Sequence, residues 1–151
     1  MLLRLAVGGL LVLAYGWAGD DHSEKRAKLA GAWQAPADGK DAGAIWSIED
    51  RDDRLRITQT LKGEKILDLN CSTEGQECQA TDSGKNVKVV MWFNGPKLVE
   101  METHGSEVIQ RHFQPSDDGA TMQVEVTRMD TGGKPEPVQL KRLDQAAMAR
   151  Q

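Results

Sequence analysis

The stretch NVKVVMWFNGPKLVEMETHGSEVIQRHF, residues 86–113, decides the fold. Runs rich in Val, Met, Ile and aromatic residues alternate there with turn residues at Asn94-Gly95 and at Gly105. Short β-prone runs bounded by turn residues are typical of antiparallel strands joined by hairpins. The stretch therefore predicts three consecutive strands of an antiparallel sheet.

Alternation of side chains along these strands assigns each residue to one of two faces, provided that both loops hold an even number of residues. One face then has seven apolar side chains and the other has five, so we expect the first face to point inward. Its members are Val87, Val89, Met91, Phe93, Leu98, Glu100, Glu102, Ile109, Arg111 and Phe113. A three-residue loop at 94–96 would reverse the facing.

Glu100 and Arg111 stand on neighbouring strands of this face, and three interpretations are open. They form a cross-strand pair on the surface, a buried structural pair, or a binding site for a polar ligand group. The third interpretation is open because the planar guanidinium of arginine binds carboxylate or phosphate well. For the third case, the candidate ligand-binding residues are Arg111, Glu100, Leu98, Met91, Phe93 and Phe113.

The rest of the chain repeats the pattern of short strands and turns. Further strands are expected at 29–35, 43–50, 54–61, 64–71, 78–81, 120–129 and 137–143. Strands at this spacing predict an all-β antiparallel sandwich or barrel, and we expect one meander β-barrel of eight to ten strands over 29–143. A polar lead at 19–28 precedes it, with a possible short helix from Asp21 or Ser23, and 144–151 is a tail.

The first 18 residues, MLLRLAVGGLLVLAYGWA, have the pattern of a cleaved signal peptide. Arg4 supplies a positive start, an apolar run follows, and Gly16 and Ala18 are small residues before a cleavage point. The run is shorter than the roughly 20 apolar residues that span a bilayer. We therefore expect a periplasmic or secreted protein without a membrane span after cleavage.

Export bears on the two cysteines, Cys71 and Cys78, because an oxidising compartment favours a disulfide between them. Loop-closure arithmetic gives such a bridge about 2.5 kcal/mol. A redox or metal pair is the alternative, but the two cysteines lack CxxC spacing.

Composition and motifs exclude several function classes. With 19 basic and 23 acidic residues the formal charge is −4, which argues against a nucleic-acid partner. Ser106 lacks the second glycine of a nucleophile elbow, and His104 and His112 fall on opposite faces of the predicted sheet. We expect no enzymatic activity, no cofactor and no metal site.

Gly31-Ala32-Trp33 at the start of the first predicted strand, followed by a meander of short strands, resembles the calycins, which comprise lipocalins and fatty-acid-binding-like barrels. The resemblance implies that Trp33 closes one end of the barrel, covered by a basic residue of the last strand, either Arg142 or Lys141. It also implies that Arg111 points into the barrel, as an arginine of the late hairpin does in fatty-acid-binding barrels. The helical lid of those barrels has no counterpart in 36–43.

The Cys-x-x-x-Gly-x-x-Cys loop at 71–78 and the Trp-Phe-Asn-Gly turn at 92–95 are similar to features of small secreted bacterial proteins with lipocalin-like domains. The inward apolar face with Glu100 and Arg111 predicts a non-enzymatic barrel that binds a small apolar or amphipathic ligand. The alternative is an envelope interaction or inhibitor protein whose barrel is filled by its own side chains, with a cavity below about 300 Å³.

Overall fold

The computed structural model describes residues 21–144 and Arg150. The predicted signal peptide at 1–18 lies outside the described residues, as does most of the tail. The elements are α1 Asp21–Leu29, β1 Gly31–Gln34, β2 Ile45–Arg51, β3 Arg54–Leu61, β4 Glu64–Ser72, β5 Cys78–Asp82, β6 Lys85–Asn94, β7 Lys97–His104, β8 Glu107–Pro115, β9 Thr121–Arg128 and β10 Glu136–Leu143.

The ten strands form a closed antiparallel barrel in which each strand pairs with its neighbours in sequence. The first strand closes the sheet, because β1 pairs with β2 on one side and with β10 on the other, where Trp33 stands opposite Arg142. Closure removes both exposed sheet edges. The prediction of an all-β meander barrel is confirmed.

Two-residue loops fix which face of the central hairpins points inward. Asn94 pairs with Lys97, and His104 pairs with Glu107, so neither loop shifts the alternation. Gly95 has a φ of 60°, which the first position of such a tight turn requires and which glycine adopts without strain. The face that carries Glu100 and Arg111 therefore lies inside the barrel, where both side chains are buried.

The two ends of the barrel differ in what covers them. At the closed end, α1 lies beside the loops 52–53, 73–77, 95–96 and 116–120. At the open end there is no helix among the described residues, and the connections are 35–44, 62–63, 83–84, 105–106 and 129–135. No helix of residues 21–144 is long and apolar enough to cross a membrane.

Helix α1 is anchored to the closed end through its last turns. Leu29, which the sequence pattern assigned to the first strand, instead ends the helix and is fully buried. Its carbonyl accepts a hydrogen bond of 2.9 Å from Nε1 of Trp33. Arg26 is buried and donates to Oδ1 of Asp50 at 3.1 Å, so the helix is joined to β1 and β2 by polar as well as apolar contacts.

A disulfide joins Cys71 at the end of β4 to Cys78 at the start of β5, with their Cα atoms 5.8 Å apart. The predicted pairing is confirmed. The bridge lies at the closed end and ties the two strands that flank the 73–77 loop.

Candidate functional site

A cavity of about 430 Å³ opens at the open end of the barrel. Its walls include the apolar side chains of Trp46, Ile66, Ile109 and Val126. The rim is charged and consists of Lys40, Asp41, Arg128, Lys134 and Glu136. We call this space the open-end cavity; it combines apolar walls with polar groups at both its mouth and its base, as small-molecule sites commonly do.

The open-end cavity ends at a similar level on β2, β3 and β8. On β8, Ile109 and Arg111 line it but Phe113 does not, and on β2 the lining stops at Trp46. Gln59 on β3 lies at the same level, since it pairs with Trp46. Below this level the barrel is filled by its own side chains, so the cavity occupies only the open half.

Four side chains at the base form what we call the Arg111 cluster: Arg111, Asp82, Glu100 and Glu102. Nη1 of Arg111 donates to Oε2 of Glu100 at 3.0 Å and to Oε2 of Glu102 at 2.8 Å. Nη2 donates to Oδ2 of Asp82 at 2.8 Å. One guanidinium therefore holds three carboxyl groups from two strands, β5 and β7, and Arg111 and Asp82 also line the cavity.

Burial and charge oppose each other in this cluster. Loss of hydration raises the pKa of Glu102 to about 7, although the positive charge of Arg111 acts to lower it. Burial also raises the pKa of Glu100, whose side chain has no exposed surface. Burial alone would lower the pKa of Arg111, but Glu100 and Glu102 outweigh it and raise that pKa. Arg111 therefore stays charged, whereas burial favours the protonated form of its two glutamate partners.

One oxygen of the cluster is unsatisfied. Oε1 of Glu100 is buried and has no hydrogen-bond partner among the described residues. A buried polar atom without a partner costs about 1–3 kcal/mol. One acceptor of the cluster therefore lacks a donor. Within residues 21–144, no group of His, Cys, Asp and Glu side chains is arranged to hold a metal ion.

Sequence reasoning singled out Arg111 and Glu100 but missed two partners. Glu102 lies on the predicted inward face, and the alternation that placed Glu100 there was sufficient to find it. Asp82 was missed because the strand was expected to end at residue 81, whereas β5 continues to Asp82 and pairs it with Leu67 and Lys85. Because β5 includes Asp82, its side chain follows the alternation of the strand and points into the barrel, as Ala80 does.

The other four predicted ligand-binding residues lie below the cavity. Leu98, Met91 and Phe113 are fully buried in the core. Phe93 lies under α1, with its ring centroid 5.3 Å from that of His22. Phe113 lies next to the cavity only through Trp46. The ring centroids of the two residues are 5.6 Å apart, in an edge-to-face arrangement. None of the four is placed on the wall of the open-end cavity.

The closed end contains the three residues predicted to close the barrel. The guanidinium carbon of Arg142 lies 4.0 Å from the ring centroid of Trp33. Its nitrogens donate to the backbone carbonyls of Gly119, Ala30 and Lys28 at 2.7, 2.7 and 3.0 Å. Gly31 has a φ of 136°, and a Cβ there would collide with Nη1 of Arg142. Lys141, the other candidate, is exposed.

Comparison with protein-family models and with curated proteins found no match for this sequence. Solved structures do match. A secretory abundant heat soluble protein from Ramazzottius varieornatus has a TM-score of 0.65 at 13% identity, covering 77% of this chain and 96% of that one. A fatty acid binding protein of Schistosoma mansoni in complex with arachidonic acid has a TM-score of 0.63 at 17% identity, covering 80% and 99%.

A third similar structure, the REP1-NXSQ fatty acid transporter, has a TM-score of 0.64 at 18% identity and covers 78% of this chain and 98% of that one. At these identities the likeness concerns the fold. The chain shares its closed antiparallel β-barrel fold with these proteins, each of which is matched over almost its whole length.

Proposed function

We propose that this protein is a non-enzymatic barrel that binds a small amphipathic ligand in the open-end cavity. The observation that carries the proposal is the cavity itself: about 430 Å³, walled by apolar side chains and ending on the polar Arg111 cluster. Pockets that hold small molecules generally measure about 300–1,000 Å³ and place a few polar groups among apolar walls. An apolar tail would lie against Trp46, Ile109 and Val126, and a polar group would reach Arg111.

The fold supports this proposal, because two of the similar structures are named for fatty acids. The filled lower half of the barrel limits the size of the ligand. Trp33 and Phe113 are fully buried beneath the cavity, so only the open half of the barrel is available. A single alkyl chain of moderate length, or a compact ring system, fits this volume better than a long or branched lipid.

The alternative of a filled interaction barrel predicted a cavity below about 300 Å³. The open-end cavity is larger, at about 430 Å³, which favours the ligand-binding proposal over an envelope inhibitor.

Export to the periplasm or the extracellular space is part of the proposal. The signal-peptide pattern of residues 1–18 supports it, and so does the disulfide between Cys71 and Cys78, since disulfides persist in oxidising compartments. Cell fractionation of the full-length chain in a bacterial host tests it, because an exported protein is recovered outside the cytoplasm and without its first 18 residues.

Binding of phenylnaphthylamine, an uncharged fluorescent probe, tests the ligand site. We expect saturable binding to the wild type and a loss of at least about tenfold in affinity for Ile109→Trp, or about 1.4 kcal/mol. The matched control is Val108→Trp, which adds the same volume on the outward face of the same strand and should bind as the wild type does. Saturable binding that Ile109→Trp leaves unchanged would place the probe outside the cavity.

A further inference from the structure

The charge balance of the Arg111 cluster restricts the head group of the ligand, and this inference rests on the proposed function. A guanidinium has five N–H donors, and Arg111 uses three of them on Glu100, Glu102 and Asp82. Both donors of Nη1 are committed to carboxyl oxygens. The arginine that the sequence offered as a contact for a polar ligand group is therefore already surrounded by carboxyl groups of the chain itself.

An incoming carboxylate would add a fourth acidic group beside a single cation. Like charges a few ångströms apart in a poorly hydrated site cannot all ionise without a large cost. Burial raises the pKa of Glu102 to about 7, and the charges of Asp82 and Glu100 raise it further, so another negative charge is disfavoured at this position. A fatty acid anion at this position would have to displace Asp82 or one of the two glutamates, or become protonated.

The hydrogen-bond balance leads to the same conclusion independently. Oε1 of Glu100 is buried without a partner among the described residues, so one acceptor of the cluster lacks a donor. An alkylammonium has three donors and no acceptor. It would reduce the negative charge of the cluster and supply the kind of group that the cluster lacks.

The rim does not reverse this preference. Lys40, Arg128 and Lys134 are exposed. Nη2 of Arg128 lies 3.6 Å from Oδ2 of Asp130 and 3.9 Å from Oε1 of Glu107. Exposed charges are screened by salt within about 10 Å at 0.1 M ionic strength. They influence how fast a charged ligand arrives, whereas the buried cluster determines which head group is held.

We infer that the open-end cavity selects amphiphiles whose inner end is a protonated amine, and that it rejects free carboxylates. The walls of Trp46, Ile109 and Val126 would hold the apolar part, while Asp82 on the cavity lining would face the ammonium, with the two glutamates behind it. The ligand class is thus a cationic amphiphile rather than the fatty acids named in the similar structures.

Three ligands with the same alkyl chain test the inference: decylamine, decanol and decanoate, each in competition with phenylnaphthylamine at pH 8. At that pH the amine is protonated and decanoate is ionised, since their groups have pKa values near 10 and 4–5. We expect decylamine to bind at least about tenfold more tightly than decanoate, with decanol between them.

Glu102→Gln removes one acidic group from the cluster without changing its size. It should reduce the ratio of decylamine to decanoate affinity by at least about fivefold, roughly 1 kcal/mol. Glu107→Gln is the control, because it makes the same charge change on the exposed surface of the open end. Equal shifts in both variants would show a surface-charge effect only and would overturn the inference.

The outcomes separate this inference from the proposed function. Decanoate binding as tightly as decylamine, or more tightly, overturns the amine preference and leaves a ligand-binding barrel in place. Failure of all three ligands and of the probe to bind overturns both.

Discussion

Two arginines, one at each end of the barrel, show how differently the ends are built. Arg142 at the closed end stacks on Trp33 and donates to three backbone carbonyls, all neutral acceptors. Arg111 below the open end donates to three carboxyl groups. The first arrangement completes a packed core. The second leaves a charged cluster beside a cavity, where a buried ion pair is weak evidence for stability.

This difference indicates that the two ends of the barrel have different roles. The closed end combines α1, the disulfide and the Trp33–Arg142 contact, and its interior is filled. The open end lacks a helix among the described residues and keeps about 430 Å³ unfilled. We therefore expect substitutions at the closed end to change the free energy of unfolding most, and substitutions in the Arg111 cluster to change ligand choice most.

The largest effect is expected for Trp33→Ala. Trp33 is fully buried, and removing a large aromatic side chain from a core costs about 3–5 kcal/mol. The free energy of unfolding from urea titrations measures this loss. Trp92→Ala is the matched control, because Trp92 lies on the outward face and is only partly buried, and a loss as large there would contradict the special role of the closed end.

Loss of the disulfide should come next. Replacing Cys71 and Cys78 together by Ala is expected to cost about 2.5 kcal/mol, because the unfolded chain regains the freedom of the closed loop. Comparing this variant with the reduced wild type in the same urea titration separates loop entropy from the change of side chains. An unchanged midpoint in both would show that the bridge contributes nothing at the closed end.

A smaller effect is expected for Arg142→Ala, on the order of 1 kcal/mol, since its side chain is exposed although it makes four contacts. Trp33 and Arg142 touch, so the double variant should lose less than the sum of the two single losses. Strictly additive losses would remove Arg142 from its closing role. Lys141→Ala, on the same strand, should leave the unfolding free energy unchanged.

The last prediction on stability concerns the open end and depends on pH. The pKa of Glu102 is raised from 4.5 to about 7 in the folded protein, so the folded state binds a proton more readily than the unfolded chain. Its contribution is complete below pH 4.5 and is lost as the pH rises through 7. Urea titrations between these values should show less pH dependence for Glu102→Gln than for the wild type, and an identical slope would contradict the raised pKa.

Local patterns in the sequence were sufficient to predict the barrel and its disulfide. Alternation along 86–113 and the turn residues between the runs fix the hairpins, because both signals are local. Trp33 and Arg142 were found from the resemblance to calycins, in which a basic residue of the last strand covers a tryptophan of the first strand.

The site itself was predicted only in part, because its depth depends on packing between distant strands. Nothing local indicates that Phe113 and Met91 fill the lower half and so lie below the cavity. Asp82 was missed because the predicted strand ended at residue 81. The alternation of side chains was therefore not applied to residue 82. The charge balance around Arg111 emerges only when β5, β7 and β8 are brought together.

The most direct test of this account is to locate the bound ligand by nuclear magnetic resonance, following backbone amide shifts as decylamine is added. We predict shifts at Trp46, Ile109 and Val126 around the open-end cavity, with Leu29 and Trp33 at the closed end unmoved. A smaller cavity of about 190 Å³ lies between α1 and Pro115, lined by Lys25 and Lys28 among others. Shifts concentrated there, with the open end unchanged, would contradict the account.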